Sequence, residues 1–119
     1  MLASRWIFSS LLSLAAVAVV SMSAALAAPK VAITGLAASH DIKREGSRLC
    51  FSDHYHYGSS AGLANKKKAE AEAISSWASF VDFEYGPTWA NFKKASSKGM
   101  NCSQSTSGWG CELSARPCI

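Results

Sequence analysis

The sequence lacks a strong excess of charge of either sign, and it lacks paired carboxylates on one side of any predicted element. Its 119 residues include 12 Lys or Arg and 8 Asp or Glu, a formal net charge of +4, so the chain is not a polycation. Asp82 and Glu84, for example, project from different sides of a predicted helix. Without carboxylate pairs for general acid–base work, the sequence argues against an enzyme. The modest charge gives no reason to expect a specific nucleic-acid partner.

Charge is absent altogether from residues 6–29, and this segment is typical of a secretory signal peptide. Arg5 precedes an apolar run that ends in the small-x-small sequence Ala25-Leu26-Ala27, which predicts cleavage before Ala28. A membrane anchor is the alternative, because about 20 apolar residues can span a bilayer. The alanine-rich cleavage site favours removal, and no cysteine beside it indicates a lipoprotein. The protein is therefore expected to be secreted or periplasmic.

Cleavage of residues 1–27 leaves 92 of the 119 residues, too few for two separate cores. We expect a partly ordered N-terminal arm over residues 28–48 and one small domain over residues 49–119. The domain contains all four cysteines of the chain, an even number that predicts two disulfides in an oxidising compartment. They are Cys50, Cys102, Cys111 and Cys118. Three connectivities are open, and the sequence favours a partner for Cys102 within the C-terminal region over Cys50.

An amphipathic helix from about Asn65 to Tyr85 is the clearest predicted element. Apolar residues recur in it at three- and four-residue steps. They are Ile74, Trp77, Ala78, Val81 and Tyr85. Asn65 is a suitable N-cap, Gly86 is a suitable residue to follow the last turn, and Pro87 stops any continuation. This stripe should organise the core, since each large buried side chain contributes about 1.5–3 kcal/mol.

Strands are predicted on both sides of this helix. Residues 48–57 have the aromatic content of a strand, and residues 58–60 end it. Residues 89–104 and 109–116 predict two antiparallel strands joined by a Ser- and Gly-rich turn. The fold class is then α+β, in the order strand, helix, strand, strand, with the helix packed on a small disulfide-stapled antiparallel sheet.

The register of this hairpin depends on its turn. If Ser107-Gly108 is the two-residue turn, Cys102 lies opposite Leu113, diagonal to Cys111 and on the same face.

The C-terminal half also carries a recognisable pattern. Its residues are Ala73-Ile74, Trp77, Tyr85-Gly86, Trp89, Cys102, Trp109-x-Cys111 and Ala115-Arg116-Pro117-Cys118. Over residues 50–118 the chain resembles small exported, cysteine-containing proteins of alphaproteobacteria, a group with no assigned function. The resemblance implies an exported domain with structural cysteines and brings no catalytic residues with it.

His54 and His56 form the most suggestive local pattern, because residues i and i+2 of a strand point the same way. Two imidazoles on one face can share a zinc or copper ion, and Cys50 would lie on that face too. Further ligands are missing locally, although the arm could bring in His40 or Asp41. The alternative is a pair of half-exposed strand histidines beside a disulfide-bonded Cys50.

A basic run at the start of the helix, Lys66, Lys67 and Lys68, is a second candidate site. Free backbone N–H groups and the positive end of the helix dipole would act together with the three ammonium groups to attract an anion. Envelope polyanions and anionic lipid surfaces are the candidate partners. The alternative is a solvated face, in which Lys66 and Lys68 pair with Glu70 and Glu72.

The run Gly58-Ser59-Ser60-Ala61-Gly62 spells G-x-S-x-G, the motif of a nucleophile elbow. The hydrolases that use this motif need a large parallel sheet and a histidine after the serine. A 92-residue domain cannot build that sheet, and every histidine of this chain precedes Ser60. The run is therefore expected to be a flexible loop that leads into the helix.

These observations predict a non-catalytic protein that binds a ligand or surface of the cell envelope. A metal-binding protein that uses His54 and His56 is the alternative, as is anion binding through Lys66–Lys68. A small effector or inhibitor that acts on a partner protein stays open as a third interpretation.

Overall fold

The computed structural model describes residues 31–119, so the predicted signal peptide lies outside the described residues. The elements, in chain order, are a 3-10 helix (Gly35–Ser39), β1 (Ile42–Glu45), β2 (Arg48–Phe51), β3 (His56–Leu63), α1 (Lys66–Tyr85), β4 (Ser96–Ser105) and β5 (Gly108–Arg116). The predicted α+β class is confirmed: one helix packs on small antiparallel sheets. No helix within residues 31–119 has the length and apolar character needed to cross a membrane.

Helix α1 matches its predicted bounds because the capping residues act as expected. The side-chain oxygen of Asn65 accepts a hydrogen bond from the backbone N–H of Lys68 at 2.9 Å, which satisfies one of the unpaired N–H groups of the first turn. Gly86 follows the last turn with φ 90°, a conformation that favours glycine. The buried line of the helix is Ala69, Ala73, Trp77 and Val81. The rest of the predicted apolar stripe is only partly buried.

The helix covers one face of a three-stranded antiparallel sheet in the order β3-β5-β4. The central strand β5 turns Cys111, Leu113 and Ala115 toward the helix, and all three are buried, as their alternation predicts. Trp77 is fully buried, and its indole N–H donates to the carbonyl oxygen of Ala115 at 3.2 Å. The core therefore lies between α1 and β5, where the side chain of Trp77 is packed and hydrogen-bonded.

The prediction of a flexible loop over residues 58–62 is wrong, because this run lies within β3. Gly58, the first glycine of the run, allows close packing rather than flexibility. A Cβ on Gly58 would lie 2.2 Å from the carbonyl oxygen of Ala73 and 2.7 Å from the backbone nitrogen of Trp77. The strand accordingly passes under the helix at a distance that only glycine permits at this position.

The single strand expected over residues 48–57 is in fact two strands of different sheets. β2 pairs with β1 in a two-stranded antiparallel sheet, which occupies part of the expected arm. After Phe51 the backbone N–H of Ser52 donates to the carbonyl oxygen of Asp41 at 2.8 Å, and the chain then crosses to the second sheet. It enters β3 at His56.

The chain after β5 joins the two sheets. Leu49 and Ile119 exchange two backbone hydrogen bonds of 3.0 and 2.9 Å, and a disulfide connects Cys50 to Cys118. Arg116, at the end of β5, is buried, and its guanidinium forms an ion pair with Glu45 of β1. Covalent, ionic and backbone contacts thus hold the β1–β2 sheet against the main sheet.

The second disulfide connects Cys102 to Cys111, which lie directly opposite each other on β4 and β5. The turn is therefore at Thr106-Ser107, two residues away in register from the pairing expected for Ser107-Gly108. A shift of two residues leaves every side chain on the same face of the sheet. For this reason Cys102 still pairs within the C-terminal region, as predicted, although the predicted position of the turn is wrong.

Candidate functional site

All three histidines of the chain lie around the phenolic oxygen of Tyr85. The Nε2 atoms of His40 and His54 are each 3.0 Å from this oxygen, and Nε2 of His56 is 3.3 Å from it. The Nε2 atoms of His54 and His56 are 3.2 Å apart. A carboxylate oxygen of Glu84 is 3.1 Å from Nε2 of His56. We call these five side chains the histidine cluster.

Four separate segments bring the cluster together. His40 follows the 3-10 helix, His54 lies in the crossing between β2 and β3, and His56 is the first residue of β3. Glu84 and Tyr85 form the end of α1. The cluster is therefore formed by tertiary folding. Glu84 and Tyr85 come from the helix and His56 comes from β3, while His40 and His54 come from segments next to strands.

Phe51 supports the cluster from the core side. Its ring centroid lies 4.9 Å from that of His40 and 4.8 Å from that of Tyr85. Phe51 is fully buried and stacks on Trp89 at 4.5 Å. The imidazole of His40 and the phenol of Tyr85 are thus oriented by packed aromatic rings, as ligands of a preformed site would be.

Hydrogen bonds alone do not account for the close polar contacts of this cluster. An imidazole nitrogen carries either one hydrogen or one lone pair, and it acts accordingly as one donor or one acceptor. Nε2 of His56 nevertheless contacts polar atoms of His54, Glu84 and Tyr85 at 3.1–3.3 Å. A cation between these atoms would interact with several of their lone pairs at once, so the crowding has a simple explanation in metal coordination.

The separations also fit the edges of a metal coordination sphere. With bonds of about 2.0–2.1 Å to zinc, neighbouring ligands of a tetrahedral site lie about 3.3 Å apart. The pair His54 and His56 and the pair His56 and Glu84 are close to that separation, at 3.2 and 3.1 Å. The ligand atoms of these three residues all lie within 4.8 Å of one another. Imidazole and carboxylate groups also suit copper(II).

The electrostatics keep the two central histidines in the form that binds metal. Burial lowers the pKa of His54, and the neighbouring His40 lowers it further. Burial likewise lowers the pKa of His56, although Glu84 opposes this shift. Both rings are therefore neutral near pH 7, and a neutral imidazole is the ligand form.

Tyr85 is held in its neutral form as well. Burial, followed by hydrogen bonding and charge repulsion from Glu84, raises the pKa of the Tyr85 phenol. In the absence of a metal, the hydroxyl can donate only one hydrogen bond, so it cannot donate to all three of the imidazole nitrogens that surround it.

The cluster opens to solvent through a depression of about 310 Å³. Ser39, His40, Asp41, Asp53 and His54 line it. Two carboxylates therefore line the same depression as two imidazoles of the histidine cluster.

Of the other residues proposed for the metal site, some lie where the sequence predicted and one does not. Cys50 is disulfide-bonded to Cys118 and does not join the histidines, which corrects the expectation that it shares their metal-binding face. His54 lies just before β3 rather than within the same strand as His56, yet the two nitrogens meet as the i, i+2 spacing suggested. His40 arrives from the arm as that hypothesis required.

Lys66, Lys67 and Lys68 are exposed at the start of α1, away from the histidine cluster at its other end. Lys66 lies 3.9 Å from Glu70, as expected for a solvated helix face. Anion binding by these lysines stays a prediction.

Ser60 is a structural residue, and it does not form a nucleophile elbow. Its hydroxyl donates to the carbonyl oxygen of Ala69 at 2.6 Å and accepts from the backbone N–H of Cys111 at 3.0 Å. The hydroxyl thus donates one hydrogen bond and accepts one, and these two bonds connect β3 to the helix and to β5.

Sequence reasoning missed two members of the cluster, Glu84 and Tyr85. Tyr85 was expected to continue the apolar stripe of α1, and nothing in its spacing sets it apart from core positions. Its hydroxyl at the last turn of a helix was the available signal, because a half-buried tyrosine needs a polar partner for that group.

The fold and the site define a small disulfide-bonded α+β domain with a histidine cluster. Comparisons with protein-family models, with curated proteins and with solved structures found no match for this chain. The function is therefore inferred from the chemistry of the cluster itself.

Proposed function

We propose that the protein is an exported metal-binding protein whose histidine cluster holds one zinc or copper ion per chain. The single observation that carries the proposal is the approach of three imidazole nitrogens to one phenolic oxygen, at 3.0–3.3 Å. We assign His54, His56 and Glu84 as ligands, because their ligand atoms lie within 4.8 Å of one another. His40 and the phenolic oxygen of Tyr85 are the candidates for the fourth ligand.

The donor set supports a divalent ion rather than copper(I). All four cysteines of the chain are in disulfides, so the cluster offers nitrogen and oxygen donors without a thiolate. Soft thiolate and thioether ligands select copper(I), whereas imidazole suits zinc and copper(II). The expected sites are thus tetrahedral for zinc or tetragonal for copper(II).

Two observations support export. Disulfides persist in oxidising compartments such as the periplasm and the extracellular space, and both pairs of cysteines are bonded here. The uncharged N-terminal segment of the sequence is typical of a cleavable leader. A secreted or periplasmic protein would meet metal ions that the cytoplasmic thiol pool does not control.

The proposal is tested by metal titration of the purified oxidised protein. Isothermal titration with Zn²⁺ and with Cu²⁺ should show one ion bound per chain, and elemental analysis after dialysis should retain it. Cobalt(II) in place of zinc should give the intense visible absorption of a four-coordinate site. Retention of less than about a tenth of an ion per chain after dialysis, for both metals, overturns the proposal.

The decisive variant is His54→Ala, because His54 is half-buried and its removal leaves the core intact. We expect it to weaken zinc binding by about 100-fold or more. Tyr55→Ala is the matched control, since Tyr55 is the exposed aromatic residue next in the chain and is not in the cluster. Equal zinc affinity of His54→Ala and the wild type would show that zinc binds elsewhere.

A further inference from the structure

We infer that Asp41 and Asp53 form the entrance through which the hydrated cation reaches the histidine cluster. The inference rests on the proposed function and adds the route of ion entry to it. Both carboxylates line the same depression of about 310 Å³ as His40 and His54. Ions that enter this depression meet the two carboxylates and the two imidazoles within one small space.

The core side of the cluster is closed, because the fully buried Phe51 packs against His40 and Tyr85 there. The side of Glu84 faces solvent: the side chain of Glu84 is 41% exposed, and it lies against His56, whose side chain is 10% exposed. The depression is a second approach, and it leads to the imidazoles of His40 and His54 without passing Glu84.

The positive net charge of the protein explains why carboxylates at this entrance would help a cation to bind. Without Arg5 of the predicted leader, the mature chain has 11 Lys or Arg and 8 Asp or Glu, a formal net charge of +3, which repels a divalent cation at long range. Beyond about 10 Å this repulsion is screened at ordinary ionic strength, so the local charge decides capture. Asp41 and Asp53 add two negative charges to the lining of the depression, and a concave surface focuses the field of such charges.

Two carboxylates also suit the first step of ion capture. A hydrated cation binds carboxylate oxygens through its water shell, and it then exchanges water for imidazole ligands. Asp41 directly follows His40, and Asp53 directly precedes His54. Each carboxylate therefore sits one residue from an imidazole that can take the ion over.

The test is a stopped-flow measurement of Cu²⁺ binding, with quenching of tryptophan and tyrosine fluorescence as the signal. The variant is Asp41→Asn with Asp53→Asn in the full mature protein. We expect its association rate constant to fall about five- to tenfold at low ionic strength, with a dissociation rate constant within about twofold of the wild type. The difference should shrink in 0.5 M salt, because the Debye length falls about threefold for each tenfold rise in ionic strength.

Asp82→Asn with Glu112→Gln is the matched control, since both residues are exposed and neither lines the depression. It removes the same number of negative charges and should bind Cu²⁺ as fast as the wild type. An unchanged association rate in the double variant overturns the entrance while leaving metal binding intact. A faster dissociation at an unchanged association rate also overturns it, because the carboxylates would then be ligands. Failure of the wild type to bind any ion overturns the proposed function together with this inference.

Discussion

The phenolic oxygen of Tyr85 lies 3.0 Å from Nε2 of His40, a residue 45 positions earlier in the chain. This contact joins the last turn of α1 to the segment that precedes β1, with the ring of Phe51 packed against both partners. It places one hydroxyl at the centre of three imidazoles. The role of that hydroxyl can be separated from the role of the ring by a single substitution.

Tyr85→Phe retains the packed ring and removes the hydroxyl. We expect zinc affinity to fall about tenfold or more, because the site loses an oxygen that can complete the coordination of the ion. The free energy of unfolding of the metal-free protein should fall by about 1 kcal/mol, the usual net contribution of one hydrogen bond. Zinc titration and urea unfolding measure the two effects. Zinc affinity equal to that of the wild type would show that the hydroxyl has no part in the site.

The two disulfides should contribute unequally to stability. Loop-closure entropy predicts about 4.4 kcal/mol for a cross-link that spans 68 residues, against about 2.6 kcal/mol for one that spans nine. Cys50–Cys118 and Cys102–Cys111 have these separations. Replacing Cys50 and Cys118 by Ala should therefore lower the free energy of unfolding by about 2 kcal/mol more than replacing the other pair. Urea denaturation of the two double variants measures this difference, and the reverse order would contradict the prediction.

The ion pair of Glu45 and Arg116 predicts a loss of stability in acid. Hydrogen bonds from Ser96 and Arg116 lower the pKa of Glu45 to about 2, from an ordinary value of 4.5. A lowered pKa in the folded state stabilises the protein fully above pH 4.5, and this contribution is lost as the pH falls towards 2. Glu45→Gln should remove that pH-dependent contribution.

Urea unfolding at several pH values between 2 and 6 checks this expectation. The stability difference between the wild type and Glu45→Gln should grow with pH up to about 4.5 and then stay constant. Glu112→Gln, which neutralises an exposed carboxylate on β5, controls for the change in net charge. A difference between wild type and Glu45→Gln that does not vary with pH would rule out the proposed linkage.

Gly58→Ala should be among the most damaging single substitutions in the domain. Its Cβ would lie 2.2 Å from a backbone oxygen of α1, and backbone atoms cannot move aside as a flexible side chain can. We expect a loss of about 3 kcal/mol or more, as for severe overpacking. Gly99→Ala is the control, because its Cβ would meet the hydroxyl of Ser114 at 3.2 Å. Thermal unfolding of both variants decides the matter, and similar melting temperatures would contradict the close approach of strand and helix.

The sequence was sufficient for the parts of the fold that depend on local periodicity. Helix α1 was predicted within one residue at its start, since its apolar spacing and its caps at Asn65 and Gly86 agree with each other. The inward face of β5 followed from alternation alone. The β1–β2 hairpin was missed because each strand has only four residues, too few to show a period.

Local chemistry was misleading where tertiary packing decides the conformation. The glycines and serines of residues 58–62 are typical of a loop, but in this fold small residues let a strand lie close beneath the helix. From the sequence, the candidate site was the pair His54 and His56, with His40 or Asp41 as further ligands that the arm could bring in. Tyr85 is 45 residues from His40, and no spacing rule in one sequence predicts its contacts with the three imidazoles.

The two disulfides are nested, with the Cys102–Cys111 ring lying entirely inside the ring closed by Cys50 and Cys118. Cys102 and Cys111 are nine residues apart and lie directly opposite each other in one hairpin. Loop closure alone would favour Cys111 and Cys118, which are closer in the chain, so the register of the hairpin has to select the native pair. Once the hairpin cysteines have reacted, the chain has two thiols left, and they have no other partner within it. We therefore expect oxidative folding to follow formation of the hairpin, with the long-range bond closing last and without a competing pairing.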